Sequence, residues 1–467
     1  MRKNSRFITA ALVPTLVLGL VGLGATATAS AAPAAATATV TATAADRTTG
    51  PWSAPTALTG PEGVADLIDV RTTADGDAVA VWYSAAAPGE QELRVAVRPA
   101  ASTEWGPAEV LATLPEGRDS VLLVPSSDGS AAVTWVHAGK DSSVLRTATL
   151  AKGATSWSAP VDIATAPVFG ELAFAGGPSG KSVATWHQNE GHKSRLFVSE
   201  RSGPDGAWSE PAALVDDGAS WPQALVAADG SVTVAWADSA AEGMTVKVVT
   251  KAAGAADWSA PVLVSEPYEG GAPVLSQGPD GTAALAWVAH KWLGDDIGSD
   301  IDVVSSVRAP GGTEWGALHT IQSDSFSRLG APLVGPDGDV TLVWIDYQET
   351  LGLRTADRSA ATGSWSEVRT LSSGYVSEEF DAKIGADGTV QVGWAQGDET
   401  GGEGQVFHTV ARVDGVWAAS TRLSEKPSAY TAGSVSVGPD GNATAVWVQD
   451  DQLWTSATGL TPEAPAV

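Results

Sequence analysis

A short pattern recurs eight times along this chain and dictates what the chain can fold into. Its clearest copy, Gly335–Trp344, is an Asp-Gly turn followed by an apolar run that ends on tryptophan seven residues after the Asp. Six further copies share this form: Asp75–Trp82, Asp128–Trp135, Asp229–Trp236, Asp280–Trp287, Asp387–Trp394 and Asp440–Trp447. In the remaining copy, Ser179–Trp186, serine replaces the Asp.

A second tryptophan repeats in step with the first, mostly within Trp-Ser-x-Pro or Trp-Gly-x. The members of this second series are Trp52, Trp105, Trp157, Trp208, Trp258, Trp315, Trp365 and Trp417. Sixteen of the 19 tryptophans are therefore repeat positions. Self-similarity with a period of about 50 residues indicates a propeller or a solenoid.

Each repeat unit contains four short segments of β composition separated by turns. In one unit the predicted strands are Asp66–Thr73, Ala78–Ser84, Glu92–Arg98 and Trp105–Ala112. Asp-Gly between two apolar runs is a strong hairpin signal, since Gly accepts a positive φ and Asp hydrogen-bonds within its own turn. The sequence therefore predicts an all-β fold, an eight-bladed β-propeller of four-stranded antiparallel blades.

The two ends of the predicted propeller, residues 51–458, complement each other. The chain begins with an unpaired fourth strand, Trp52–Leu58, and the last unit supplies only three strands, Gly433–Val437, Ala443–Val448 and Gln452–Ala457. We expect the N-terminal strand to complete the last blade, which would leave no free sheet edge. Seven blades plus an irregular one is the alternative.

The N-terminus has the features of a secretory signal. Basic Arg2, Lys3 and Arg6 precede an apolar run, Phe7–Leu23, and Ala29–Ala31 offers a small-residue cleavage site. We expect residues 1–31 to be a signal peptide, 32–50 a disordered leader and 459–467 a flexible tail, with an uncleaved membrane anchor as the alternative. The expected location is therefore secreted and extracellular, and an exported chain without cysteine must rely on packing.

Charge restricts the classes of partner. The formal net charge of −27 repels nucleic acid and anionic lipid, so neither is an expected ligand. An acidic surface keeps an exported protein soluble, and calcium affinity is its alternative role. We expect a monomer.

The repeated residues admit two interpretations. The Asp-Gly pairs are turns, because one Asp per turn does not supply the several oxygens that calcium needs. The two tryptophan series are wedges between blades, or else the second series stacks sugars as a multivalent lectin would. Because all blades share these positions, a common structural role is favoured.

Units such as Trp258-Ser259-Ala260-Pro261 and Asp440–Trp447 resemble those of a family of exported, mostly actinobacterial propeller proteins. Known members of that family have no assigned activity. The chain is also distantly similar to sialidase-like propellers, whose Asp-box (Ser-x-Asp-x-Gly-x-x-Trp) precedes the fourth strand. Here Ser202–Trp208 is a degenerate copy at best. The resemblance covers residues 52–457 and implies a fold, not a chemistry.

Residues that break the repeat cluster in the loops between second and third strands and between fourth and first strands. In a propeller these loops lie on one face, which we call the loop face; the Asp-Gly turns lie on the opposite, turn face. The loop-face aromatics and histidines are Tyr83, His137, Phe169, His187, His192, Trp221, Tyr268, His290, Trp292, Phe326, Tyr347, Tyr375 and Tyr430. Exposed aromatics suit sugar stacking or protein contact. As candidate ligand-binding residues we select Trp221, Trp292, Tyr347, Tyr375, His187 and His290, the alternative being that rim aromatics cap the blade cores.

The fifth unit carries an insertion, because Trp287 and Trp315 are 28 residues apart where the other units have 21–23. Within His290–Asp302 the candidate calcium ligands are Asp295, Asp296, Asp300 and Asp302. Their spacing does not match the twelve-residue calcium loop, so a solvated acidic loop is the alternative.

An enzyme interpretation needs convergent machinery that the sequence only partly offers. A sialidase-type site would draw on Arg118, Arg328, Tyr347, Glu349, Asp346 and Glu379, but an arginine clamp needs more than the two arginines of these loops. We therefore predict a non-catalytic binding module for a glycan or a cell-surface protein, without a cofactor other than calcium. A sialidase-like glycoside hydrolase is the alternative.

Overall fold

The computed structural model describes residues 50–60, 65–100, 102–115, 120–204, 206–239, 244–265, 270–291, 300–323, 327–347, 351–372, 375–397, 404–428 and 431–459. These residues form eight antiparallel sheets arranged as the blades of a β-propeller, which confirms the predicted fold class. The predicted signal peptide, leader and most of the C-terminal tail lie outside the described residues. Within the described residues, no helix has the length and hydropathy needed to cross a membrane.

Blades 1 to 4 follow one another along the chain, each with its strands in sequence order. The strands are β1 (Thr56–Ala57, part of blade 8); β2 (Ala65–Thr72), β3 (Ala78–Ala85), β4 (Glu90–Arg98) and β5 (Glu109–Pro115) of blade 1; β6 (Val121–Pro125), β7 (Ala131–His137), β8 (Ser143–Leu150) and β9 (Val161–Ala166) of blade 2; β10 (Leu172–Gly176), β11 (Ser182–Glu190), β12 (Lys193–Arg201) and β13 (Ala212–Val215) of blade 3; and β14 (Ala219–Val226), β15 (Val232–Asp238), β16 (Thr245–Lys251) and β17 (Val262–Leu263) of blade 4. A single 3-10 turn, Pro178–Gly180, joins β10 to β11.

Blades 5 to 8 repeat the arrangement, with a divided first strand in blade 6 and a divided fourth strand in blade 7. Their strands are β18 (Val274–Gln277), β19 (Ala283–Lys291), β20 (Asp300–Arg308) and β21 (His319–Gln322) of blade 5; β22 (Ser327–Leu329), β23 (Leu333–Val334), β24 (Val340–Asp346), β25 (Gly352–Arg358) and β26 (Arg369–Thr370) of blade 6; β27 (Val376–Ile384), β28 (Val390–Gly397), β29 (Gln405–Val413), β30 (Val416–Trp417) and β31 (Thr421–Arg422) of blade 7; and β32 (Gly433–Val437), β33 (Ala443–Gln449) and β34 (Gln452–Ala457) of blade 8.

The ring closes as the strand count predicts. Strand β1 pairs antiparallel with β34, with Thr56 opposite Thr455. On either side of this short pairing, the Ser53 amide donates to the Ala457 carbonyl at 2.8 Å, and the Leu58 amide donates to the Leu453 carbonyl at 2.7 Å. The first strands of successive blades contact one another around the whole ring, so they surround a central channel.

The Asp-Gly pairs form the predicted turns between first and second strands. Each turn glycine has a positive φ, for example +92° at Gly76 and +93° at Gly281, which a side chain would oppose. In five turns the Asp carboxylate accepts from the backbone amide two residues on, as Asp280 Oδ1 does from Thr282 at 2.8 Å. Asp75 instead accepts from Lys152 of blade 2 at 2.9 Å.

The second-strand tryptophans are inter-blade wedges, as predicted. All eight are at most 2% exposed: Trp82, Trp135, Trp186, Trp236, Trp287, Trp344, Trp394 and Trp447. Trp287 of blade 5, for instance, belongs to one core cluster with Leu225 and Ala235 of blade 4. Burial of a large ring between every two blades is the main source of cohesion in this cysteine-free ring.

The second tryptophan series lies differently from the prediction. Strand β5 begins at Glu109, not at Trp105, and most members of the series precede their fourth strand. The Trp-Ser-x-Pro motif explains the shift. In blade 2 the Ser158 amide donates to the Thr149 carbonyl at 2.9 Å, while Ser158 Oγ accepts from the Thr149 amide at 3.0 Å. The serine hydroxyl thus replaces a backbone carbonyl, and regular pairing resumes only after the proline, which has no amide hydrogen.

Candidate functional site

A cavity of about 530 Å³ opens at the loop-face end of the central channel. Its lining is Glu171, Leu172, Trp221, Pro222, Gln223, Met244, Gly271, Ala272, Pro273, Val274, Val288, Ser327 and Leu329. Most of these residues stand at or just before the start of the first strands of blades 3, 4, 5 and 6. Because the first strands of non-adjacent blades approach each other only across the channel, the cavity lies at its mouth. Its volume is typical of a small-ligand site.

Trp221 forms an exposed aromatic wall of this cavity. Its φ is +48°, in the left-handed region that a bulky side chain rarely adopts. The register of β14 against β15 shifts between Ser220 and Gln223, so Trp221 lies in a bulge. The ring is 39% exposed, whereas the repeat tryptophans of the second strands are buried. Backbone strain that displays an aromatic ring in a cavity points to a binding role.

Glu171 and His187 form a pair at one side of the cavity. His187 Nδ1 lies 2.7 Å from Glu171 Oε2, and His187 Nε2 lies 3.2 Å from Asn189 Oδ1. The main chain reinforces the pair, because the His187 amide donates to the Glu171 carbonyl at 3.0 Å. A Cβ on Gly170 would come within 2.5 Å of His187 Nδ1, so glycine is needed for the ring to fit. The carboxylate is thereby held in one orientation at the cavity wall.

The opposite wall is a backbone segment lying tight against its neighbours. A Cβ on Gly271 would come within 2.1 Å of the Val288 carbonyl, and one on Gly270 would meet the Met244 backbone at 2.5 Å. The Gly270 amide also donates to the Met244 carbonyl at 3.0 Å. The two successive glycines therefore bring this segment close to Met244 and Val288, and Ala272, Pro273 and Met244 give the cavity an apolar lining here.

The structure places the six candidate ligand-binding residues in different environments. Trp221 lines the cavity, and His187 reaches it through Glu171. Tyr375 is also 39% exposed but stands before β27, outside the cavity. Tyr347 packs against the core shared by blades 6 and 7. Trp292 and the side chain of His290 lie outside the described residues.

Several other loop-face aromatics belong to blade cores. Tyr83 is 7% exposed, and Phe169 meets Trp186 edge-on with ring centroids 5.8 Å apart. The capping interpretation therefore holds for these residues and for Tyr347, whereas Trp221 and Tyr375 stay open to solvent.

The candidate calcium ligands fall mostly outside the described residues. Asp295 and Asp296 lie outside the described residues. Only the backbone of Asp300, in β20, is described. Asp302 is 2% exposed within β20, where it lies opposite Ala289. No group of three or more potential metal-ligating His, Asp or Glu side chains occurs within the described ranges. Calcium binding in the insertion stays a prediction.

The described candidates for a sialidase-type site lie outside the loop-face cavity, and Arg328 and Asp346 are on paired strands of blade 6. Arg118 and Glu349 lie outside the described residues, and neither Arg328 nor Glu379 lines the cavity. The Asp346 carboxylate accepts from Gln322 Nε2 of blade 5 at 2.9 Å and lies 3.6 Å from Arg354 within blade 6. The described lining of the cavity includes no arginine or lysine.

Half of the second tryptophan series, the residues that precede the fourth strands, have one ring face covered. Four of them carry a cationic group over the ring at 5.2–5.8 Å: Arg98 over Trp105, Arg201 over Trp208, Lys251 over Trp258 and Arg308 over Trp315. Because those ring faces already have a partner, this arrangement favours the structural role over the multivalent-lectin role.

A charged network, which the sequence analysis missed, lies between the first strands of blades 7, 8 and 1. Ser434 Oγ is 2.8 Å from Asp69 Oδ1 and 2.6 Å from Asp381 Oδ2. Arg71 Nε donates to Asp69 Oδ2 at 2.6 Å, and Lys383 pairs with Asp381 Oδ1. One hydroxyl carries one proton, so Ser434 donates to a single carboxylate at a time. We call these five residues the closure network.

Charge compensation favours the ionised form of Asp381 in the closure network. Burial alone would raise the pKa of Asp381, but the positive charges of Lys383 and Arg71 hold this pKa below its ordinary value. Hydrogen bonds from Lys383 and Ser434 act in the same direction. A sequence signal existed: Asp-x-Arg and Asp-x-Lys occupy the same place in β2 and β27, six and four residues before the turn Asp.

A second cavity, of about 900 Å³, lies on the turn face among blades 1 to 5. Its lining includes Arg71, Asp229, Asp280 and Arg308, together with turn backbone and small side chains. Arg308 there covers Trp315. Without an exposed aromatic, this cavity is a weaker candidate for ligand binding than the loop-face cavity.

Comparison with known proteins gives propellers of varied activity. No family model and no curated protein sequence matches the chain, so membership of an exported actinobacterial repeat family stays a prediction. Polysaccharide lyase Uly1 is similar at 11% identity over 84% of this chain and 90% of that chain, with a TM-score of 0.48. The β-propeller domain of the trilobed protease from Pyrococcus furiosus is 12% identical over 78% of this chain and 99% of that chain, with a TM-score of 0.46. A leech intramolecular trans-sialidase is 8% identical over 88% of this chain and 94% of that chain, with a TM-score of 0.38. Similarities this low carry no information about ligand or activity.

Proposed function

We propose that this protein is a glycan-binding propeller that holds a sugar in the loop-face cavity. The observation that carries the proposal is Trp221, a strained and exposed ring at a cavity of ligand size. A flat ring can stack on the C–H face of a sugar, while Glu171, Gln223 and Ser327 offer polar atoms for its hydroxyls.

A concave cavity favours a sugar over a protein partner. Protein interfaces usually bury about 800 Å² on each side and need a broad surface, whereas this cavity of about 530 Å³ is lined mainly by residues at the starts of four first strands. The expected signal peptide would place the protein outside the cell, where polysaccharides are accessible. Binding without catalysis remains part of the proposal, with a glycoside hydrolase as the alternative.

The test is retention of the purified chain on insoluble chitin, cellulose and xylan. We expect Trp221→Ala to abolish retention on whichever polymer holds the wild type. Tyr375→Ala is the matched control, because Tyr375 has the same exposed fraction and also belongs to the loop face but does not line the cavity. Equal loss in both variants would point to a diffuse surface, and undiminished retention of Trp221→Ala would exclude the cavity.

A further inference from the structure

The charges around the loop-face cavity restrict which sugar can enter. Glu171 is the sole acidic or basic side chain in the described lining. The chain as a whole has a formal charge of −27. A carboxylated or sulfated sugar would meet this field without a cation to compensate its own charge, which is costly in a partly desolvated site.

The Glu171 carboxylate is built to accept hydrogen bonds. His187 holds Oε2 at 2.7 Å, and Oε1 has no hydrogen-bond partner among the described residues. The glutamate side chain is 45% exposed, while that of His187 is 12% exposed, so the histidine supports the carboxylate from the protein side. A ligand group that donates, an N–H or an O–H, therefore complements Oε1.

The remainder of the lining is mostly apolar. Met244, Val274 and Val288 form one side, and Leu172 and Leu329 extend it toward blades 3 and 6. Met244 is the only methionine besides the initiator, and its unbranched thioether adapts to the shape of a small apolar group. A sugar with hydroxyls at every position would leave some of them without partners against this wall, at a cost in affinity.

From these three features we propose that the cavity selects neutral sugars bearing an acetamido group and rejects acidic ones. The sugar ring stacks on Trp221, the amide N–H donates to Glu171 Oε1, and the acetyl methyl packs toward Met244 and Val288. This inference rests on the proposed function and names the ligand class of the same site. This selectivity is incompatible with any activity that requires recognition of a sugar carboxylate.

Isothermal titration with three soluble tetrasaccharides tests the inference. The probes are N-acetylchitotetraose, cellotetraose and tetragalacturonate, which bear acetamido groups, hydroxyls only, and carboxylates respectively. We expect the acetylated probe to bind at least about tenfold more tightly than cellotetraose, a difference of about 1.4 kcal/mol. No heat should be detectable with tetragalacturonate.

The Glu171→Gln variant sharpens the test, because it preserves size while it removes the charge. Binding of the acetylated probe should weaken several-fold, and the discrimination against tetragalacturonate should shrink. Glu379→Gln is the control, since Glu379 is exposed on β27 and lies outside the cavity. It should leave all three titrations unchanged.

The outcomes distinguish the two levels of the proposal. If cellotetraose or tetragalacturonate binds as tightly as N-acetylchitotetraose or more tightly, the proposed selectivity is wrong, whereas glycan binding is retained. Trp221→Ala should abolish whichever titration the wild type shows. If none of the three probes binds and no insoluble polymer retains the protein, the proposed function fails and the selectivity fails with it.

Discussion

The two sides of the central channel are built from the same strand of the same repeat, yet they differ in chemistry. On the side of blades 3 to 6, the first strands leave a cavity with apolar walls and the strained Trp221. On the side of blades 7, 8 and 1, the first strands are tied together by the closure network around Ser434. We call these sides the open sector and the locked sector.

One repeat position distinguishes the two sectors. The residues six positions before the turn Asp or Ser are, in blades 1 to 8, Asp69, Leu122, Ala173, Gln223, Val274, Ala331, Asp381 and Ser434. The locked sector thus contains both carboxylates and the hydroxyl that joins them. It also contains blade 8, whose fourth strand is the two-residue β1 from the other end of the chain. The closure network therefore joins the first strands next to the blade where the covalent chain is interrupted.

The largest expected effect comes from removing the N-terminal strand of the locked sector. Deletion of Pro51–Thr59 exposes the edge of β34 and withdraws Trp52 from the core around Phe407 and Trp447. We expect a large fall in the thermal unfolding midpoint, with recovery when a peptide of the deleted sequence is added. An unchanged midpoint would show that β1 is dispensable and that the closure network alone holds the ring.

Replacing a core tryptophan should lower the free energy of unfolding equally in both sectors, because tryptophans pack between blades around the whole ring. Trp344 of blade 6 and Trp447 of blade 8 are both 0% exposed. Each change to Ala should lower the free energy of unfolding by about 3–5 kcal/mol, the usual range for a buried ring. Chemical denaturation measures this. A much smaller cost at Trp344 would mean that the open sector is also loosely packed, so that the sectors differ in more than channel chemistry.

The Asp381→Asn change should act in the locked sector and depend on pH. Because the Asp381 and Lys383 side chains are 19% and 14% exposed, we expect a cost of roughly 2–3 kcal/mol at pH 7, below the range for a fully buried pair. The folded-state pKa of Asp381 lies below its unfolded value of about 3.9. Its ionisation therefore stabilises the fold above about pH 4, and this contribution is lost as the pH falls through the folded pKa.

Denaturation of wild type and variant at a series of pH values checks this expectation. The difference between them should be constant near neutrality and shrink below about pH 4. Asp162→Asn is the control, because Asp162 is 60% exposed in a surface pair with Arg146 and such pairs contribute little. A pH-independent difference for Asp381→Asn would indicate that the amide merely disturbs packing.

The fold could be predicted from the sequence because every blade uses the same kinds of residue at the same positions for its turns and its core. Asp-Gly turns and buried tryptophans recur at fixed spacing, so strand order and closure follow from counting. The position of the fourth strand could not be predicted so well, since the role of Ser158 Oγ as a substitute carbonyl depends on three-dimensional pairing.

The site was predicted only in part, for the opposite reason. Trp221 was recognisable as an aromatic that the repeat does not require, whereas Glu171 and Met244 belong to no motif. They meet because the first strands of separate blades converge on the channel, a relation that spacing along the chain does not express. The closure network stood in a recognisable repeat position, but its meaning required the contacts between blades 7, 8 and 1.

The smallest expected effect measures the strain of the open sector at Trp221. In an ordinary strand, Ala is more stable than Gly by about 0.5–1 kcal/mol. At φ +48° a left-handed L-residue costs about 1–2 kcal/mol, which glycine avoids. Trp221→Gly should therefore be more stable than Trp221→Ala, by up to about 1 kcal/mol, although both variants lose the ring.

The locked sector supplies the control for this pair of variants. Ala432 occupies the equivalent position of blade 8, eight residues before the turn Asp, and is not among the residues with a positive φ. Ala432→Gly should destabilise the protein by the ordinary amount for glycine, so glycine and alanine should rank in opposite orders at the two positions. If alanine is the more stable residue at both, the bulge at Trp221 relaxes once the ring is removed. The ring itself, rather than the backbone, would then be the source of the left-handed conformation.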